Sequence, residues 1–145
     1  MITIREIPPE LTYDIRHIVL RQGLPRDSCY WETDCLSGVF HLGGWLEGRM
    51  VGVATFQPEE DPSYPGVPAY RLRGMAVLPE ARRQGVATLM LLAGEDRVSQ
   101  MGICALWCDA RIGAVAFYER HGWTRHGELF DIPTAGPHYR MRKNL

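Results

Sequence analysis

Residues 73–87 read Arg-Gly-Met-Ala-Val-Leu-Pro-Glu-Ala-Arg-Arg-Gln-Gly-Val-Ala, and this stretch decides the fold. An extended run closes at Pro79, a polar turn follows, and Gly85 opens a helix whose first residues are small. The first amides of a helix have no intrahelical partner, and the helix dipole places partial positive charge on them. Gly85 removes the side chain that would block a ligand there, and Arg82 and Arg83 add formal charge. Such a turn suits an anion, above all a phosphate or pyrophosphate. It matches neither the Walker loop, which needs GxxxxGK[ST], nor the Rossmann GxGxxG pattern. The competing reading is an ordinary strand-to-helix turn carrying two solvated arginines.

Outward from this turn, Tyr70–Leu78 reads as a strand and residues 86–101 as a helix stopped by Gly102. Its apolar residues Val86, Leu89, Met90, Leu92 and Ala93 are expected to form the packed face. A buried strand at Ala105–Cys108, a second helix at Ile112–His121 and strands at Trp123–Phe130 and Tyr139–Lys143 complete the C-terminal half. Towards the N-terminus, Ile2–Ile7 alternates as a strand, and Leu11, Ile15, Ile18 and Val19 recur at helical spacing. Residues 26–38 have no clean period. Val39–Leu46 and Met50–Phe56 read as a hairpin turning at Glu47-Gly48-Arg49, and the proline-rich residues 57–69 as a loop. The hairpin strands should be antiparallel, whereas the strand–helix–strand unit from 70 to 108 needs a right-handed parallel crossover. The expected fold class is α/β with a mixed sheet and helices on its faces.

The chain has 145 residues, about one domain's length. Hydrophobic residues make up 46% and charged residues 23%, which excludes a disordered chain. A net charge of −1 gives no general reason to expect nucleic acid or a membrane as partner. The N-terminal residues lack an apolar signal core. Cys29, Cys35, Cys104 and Cys108 form no CxxC pair and no metal-ligand spacing, so reduced thiols, a cytoplasmic location and no bound metal are expected.

Arg82-Arg83-Gln84-Gly85-Val86-Ala87 resembles the signature of the GNAT superfamily of N-acyltransferases: Arg or Gln, two residues, Gly, one residue, then Gly or Ala. A second block, Ala114-Val115-Ala116-Phe117-Tyr118-Glu119-Arg120-His121-Gly122-Trp123, is similar to the family's A-x-x-F-Y-x-x-x-G-F segment. The resemblance implies one acetyltransferase domain over residues 1–145, with a mostly antiparallel sheet and a splayed parallel pair, 70–78 and 105–110. It implies acetyl-CoA as co-substrate, with the backbone of Met75, Ala76 and Val77 pairing the pantetheine arm as an added strand. The amides of Arg82, Arg83, Gln84, Gly85, Val86 and Ala87, with Thr88, would cradle the pyrophosphate. Arg82 or Arg83 would reach the outer phosphates.

Tyr118 is the implied catalytic residue, a phenol placed to protonate the departing thiolate or to position the thioester; its structural alternative is packing beside Phe117. Where many members carry Asn, this chain has Arg111. The implied acceptor is an amine on a small molecule or peptide, which must lose a proton before attack, to a side chain or to water. Glu32, Asp34, His41 and Asp109 are the candidate bases; each also has a structural reading, as solvated charge, satisfied imidazole or helix cap. The cluster Tyr30-Trp31-Glu32-Thr33-Asp34 suggests an aromatic, acidic wall suited to a cationic acceptor, and the resemblance places this loop over the acceptor site. The other histidines, 17, 121, 126 and 138, read as surface or supporting residues. The rival in another class is a non-catalytic CoA-binding or regulatory module; homodimers are common for such folds.

Overall fold

A computed structural model describes residues 1–145. Its seven strands form one sheet in the order β1-β2-β3-β4-β5-β7-β6. They are β1 (Ile2–Ile7), β2 (Phe40–Leu46), β3 (Arg49–Pro58), β4 (Tyr70–Val77), β5 (Ala105–Arg111), β6 (Thr124–Ile132) and β7 (Gly136–Asn144). Every pairing is antiparallel except β4 with β5, as the crossover through the helix between them requires. The helices are α1 (Tyr13–Ile15), α2 (Val86–Gln100) and α3 (Val115–Arg120).

Strand parity assigns the faces. On β3, Gly52 and Phe56 meet Met90 and Gly94 of α2, while Thr55, of opposite parity, meets Arg16 from the N-terminal segment. The sheet is therefore covered on both sides.

The N-terminal segment departs from the regular helix expected of it. It runs as a 3-10 turn (Pro9–Thr12), a single α turn and a π-helical turn (Arg16–Leu20). Ile15 is buried, but Leu11 and Ile18 are 46% and 51% exposed. The apolar spacing was outweighed by Arg16, whose guanidinium is fully buried and paired. Turning Arg16 inward takes Ile18 out.

The packed face of α2 also differs from the expected one. Leu89 and Leu92 are 40% and 45% exposed, whereas Val86, Met90, Leu91, Gly94, Glu95 and Val98 are buried. Gly94 explains the rotation: a Cβ there would stand 2.0 Å from Cζ of Phe56, so the helix closes on β3 along its glycine side. Glu95 enters the interior with it. Its carboxylate accepts hydrogen bonds from Trp123 Nε1 at 3.0 Å and Lys143 Nζ at 2.8 Å. This buried charge ties α2 to the C-terminal strands.

Residues 59–69 are fastened rather than free. The Glu59 carbonyl accepts from Trp107 Nε1 at 2.8 Å, and buried Asp61 pairs with Arg142 at 3.2 Å and caps the Ser63 amide at 2.9 Å. The core is a cluster of 24 buried residues drawn from nearly every element.

Candidate active site

β4 and β5 pair only at Tyr70–Leu106 and Arg71–Trp107, then diverge. Beyond Arg71, β4 keeps β3 on one edge and has no strand on the other. The bulge responsible for its bend lies at Gly74 and Met75, where Arg73 opposes Thr55 and Ala76 opposes Val53. Gly74 has φ +66, and a Cβ there would strike the Trp31 ring at 2.7 Å. Only glycine satisfies both demands. The resulting gap is a cavity of about 230 Å³, whose lining includes Arg73, Met75, Cys108, Asp109, Tyr118 and His138.

At the end of β4 a second cavity, about 310 Å³, is lined by Val77, Arg82, Arg83, Gly85, Val86, Ala87 and Thr88, with Phe117 and Arg120 opposite. Arg83 and Gly85 both have positive φ, +62 and +97, so the turn coils its amides inward ahead of α2. None of the backbone amides from Arg83 to Thr88 finds an acceptor within the chain. Arg82 donates from Nε to the Val77 carbonyl at 3.2 Å, and Thr88 Oγ1 lies 3.2 Å from His121 Nε2. Gln84 is exposed outside this lining, and Ala76 turns its side chain into the core, leaving only its backbone to the edge.

Tyr118 is buried, with its ring against Trp123 and Phe117 at 5.2 Å each, and it reaches the gap from α3. Its packing and its place at the gap coexist. The hydroxyl and the Cys108 thiol share the lining of the gap and lie near each other. Burial pushes both groups well above their ordinary pKa values, so both are held neutral.

The sequence-derived bases fare differently. Asp34 is locked to Arg16 by two hydrogen bonds, 2.7 and 2.9 Å, with both side chains buried. His41 is buried beside it. Its Nε2–H donates to the Asp34 carbonyl at 3.1 Å, which leaves Nδ1 to accept from Thr55 Oγ1 at 2.7 Å. Neither residue lines the gap. Asp109 does, but its oxygens accept from Arg140 at 3.0 Å and Arg71 at 3.2 Å. Glu32 is exposed and outside the gap.

The aromatic, acidic wall is absent as such. Trp31 does line the gap, but two guanidiniums are stacked on it, Arg16 at 3.6 Å and Arg73 at 4.1 Å. Arg111, at the position where Asn was expected, is exposed at the rim and donates to the Leu20 carbonyl at 3.1 Å.

His138 is the residue that the sequence did not single out for the gap. It is buried on β7, and its Nδ1 lies 2.7 Å from the Gly136 carbonyl. A carbonyl only accepts, so Nδ1 carries a proton, and in the neutral imidazole the lone pair is therefore on Nε2. Nothing on the chain hydrogen-bonds to Nε2.

The architecture matches known proteins. The profile of the Acetyltransferase (GNAT) family covers residues 9–123. Over its whole length the chain is 37% identical to YitI of Bacillus subtilis (strain 168), an uncharacterized N-acetyltransferase, and covers 97% of that protein. The ribosomal-protein-S18-alanine N-acetyltransferase of Escherichia coli superposes with TM-score 0.76 at 19% identity, over 99% of this chain and 94% of that one. An aminoglycoside 6'-N-acetyltransferase solved with coenzyme A also gives 0.76, at 14% identity, over 98% and 96% of the two chains. No helix is long and apolar enough to cross a membrane. With its splayed parallel pair, its glycine-led amide turn and these relatives, the chain belongs to the GNAT family of N-acetyltransferases.

Proposed function

We propose that this protein transfers an acetyl group from acetyl-CoA to an amine by direct attack of the amine nitrogen on the thioester. The observation that carries the reading is the continuity of three features. The unpaired amides of Arg83 to Thr88 lie at one end of β4, its open edge runs from Val77 to Met75, and Tyr118 lies in the gap beyond. The amide turn fits a pyrophosphate, with Arg82 and Arg83 beside it; Gly85 adds no side chain, and its Cβ position has only Ile2 Cδ1 nearby, at 3.6 Å. The open edge fits an amide-bearing arm laid alongside as an extra strand. Acetyl-CoA supplies the activated acyl group.

In this reading Tyr118 gives its phenolic proton to the thiolate as the carbon–sulfur bond breaks. Burial keeps the donor protonated at neutral pH, and the phenol reaches the gap from α3. The ammonium gives its first proton to solvent before attack; His138 Nε2 takes the second as the carbon–nitrogen bond forms, and solvent then carries that proton away from His138 and reprotonates Tyr118. Gly136 fixes the imidazole tautomer through Nδ1.

The test is release of free thiol from acetyl-CoA on addition of an amine panel, together with calorimetric titration of CoA. Thiol release that depends on an amine is expected. CoA binding without transfer to any amine would leave a binding module instead.

A further inference from the structure

The gap carries an excess of positive charge. Its lining includes Arg21, Arg71, Arg73 and Arg111 against a single carboxylate, Asp109. Asp109 is already engaged by Arg71 and Arg140. Three of the four lining arginines have no carboxylate partner. Arg21 donates to the Ser28 hydroxyl at 3.3 Å, Arg111 to the Leu20 carbonyl at 3.1 Å, and Arg73 to Thr33 Oγ1 at 3.4 Å.

Arg73 is the most exacting of them. It sits on β4 one residue before the bulge, stacked on Trp31 at 4.1 Å, with the Arg16 guanidinium stacked on the same indole. Burial above all, then the charges of Arg71 and Arg16, lowers its pKa, with Asp34 and Glu59 acting the other way. A half-buried guanidinium with no carboxylate partner of its own is stabilised by an anion delivered to it, and its planar fork matches a carboxylate. The phosphates of a CoA molecule do not meet this need, because the amide turn lines a separate cavity that shares no lining residue with this one.

We infer that the amine acceptor also carries a carboxylate, a small aminocarboxylic acid such as a free amino acid, whose acid group is held by Arg73 with Arg111 and Arg21 while its amine faces the thioester. This inference rests on the acyl-transfer reading. It excludes polyamines and aminoglycosides as preferred acceptors, since an ammonium brought to this lining meets uncompensated guanidiniums and finds the Trp31 indole already stacked by cations.

The experiment compares free amino acids with their methyl esters, and with spermidine, as acceptors for acetyl-CoA. Loss of one charge-assisted contact is expected to lower kcat/KM for the ester by about tenfold or more. Arg73→Gln should bring the acid-to-ester ratio towards one, and Arg111→Gln, at an exposed position, should reduce it. The ratio is internal to each protein, so a poorly folded variant lowers both arms and leaves it unchanged. Esters or spermidine used as well as the free acids by the native protein would overturn the inference while acyl transfer stood. Should no amine release thiol, calorimetry with N-acetyl amino acids and their esters reads the same site. Tighter binding of the acid supports the inference and equal binding overturns it, whereas failure of acetyl-CoA to bind counts against the transfer reading alone.

Discussion

Arg16 and Asp34 form a bidentate ion pair with essentially no exposure to water, Nη1 to Oδ2 at 2.7 Å and Nη2 to Oδ1 at 2.9 Å. The pair joins the π turn to the loop over the gap, and Arg16 also donates to the Cys29 carbonyl and to Thr55. Removing one partner of a buried pair strands the other charge, typically at a cost of about 3–5 kcal/mol. Asp34→Asn and Arg16→Met should each lower the urea midpoint by a large fraction of total stability. Joint replacement by apolar residues should recover part of it. Midpoints unchanged in the single variants would contradict the structural role.

At the amide turn, Gly85→Asn and Gly85→Asp place nearly isosteric side chains at φ +97. Both carry the left-handed strain, which Asn and Asp tolerate better than most residues. Only Asp brings negative charge to the unpaired amides. CoA affinity by calorimetry should fall modestly in the Asn variant and at least about tenfold further in the Asp variant, a difference of about 1.4 kcal/mol. Equal losses would show that strain, not charge, governs the turn.

Tyr118→Phe removes the donor and keeps the ring packing against Trp123 and Phe117. Turnover should drop near the low end of the roughly 10²–10⁴-fold range for general acid catalysis, since a thiolate is an undemanding leaving group. CoA affinity should hold. Near-normal turnover in a stable variant would retire Tyr118 as the acid.

The same two neighbours make an alkaline signature. The Cys108 thiol and the Tyr118 phenol would ionise near 9.0 and 10.0 without their burial, and burial raises both. Above about pH 9 the unfolded chain therefore gives up protons that the folded chain retains, so stability is full below that pH and falls as pH rises. Tm measured from pH 8 upward should decline less steeply in a Cys108→Ala, Tyr118→Phe double variant. Parallel curves would mean that neither group carries the linkage.

His138→Asn keeps a side-chain N–H where Nδ1 donates to Gly136 but lacks the basic nitrogen. Turnover should fall by about 10²-fold or more with the KM for acetyl-CoA little changed. Full activity in this variant would assign proton removal to water.

The element order and the glycine-led turn were legible because their signals are local. Strand alternation, Pro79 and Gly85 speak through their immediate neighbours. The polar interior was not legible. Nothing near Asp34 or His41 in sequence reveals that Arg16 will be buried against them, so two candidate bases turned out to be parts of a closed hydrogen-bond network. Trp31 suggested a cation-binding wall for the same reason: the guanidiniums that occupy it come from positions 16 and 73. His138 was obscured by its turn-rich surroundings, and only the pairing of β7 with β5, Arg111 beside His138, carries it to the gap. On α2, Leu89 and Leu92 matched helical spacing, but Gly94 and Glu95 set the rotation.

The two-residue joint between β4 and β5 divides the sheet into a four-stranded plate and a three-stranded plate. Apart from that joint, the plates are held together by the shared hydrophobic core and by side-chain links such as Glu95 with Lys143 and Asp61 with Arg142. A ligand lying along the open edge of β4 acts as mortar in the seam, bonded to one plate and walled by the other. A binding partner selective for the folded chain adds roughly 2.7 kcal/mol at a hundred times its Kd. If acetyl-CoA is that ligand, as proposed above, resistance to unfolding, and with it persistence against proteolysis, would rise with the amount of acyl donor around the protein.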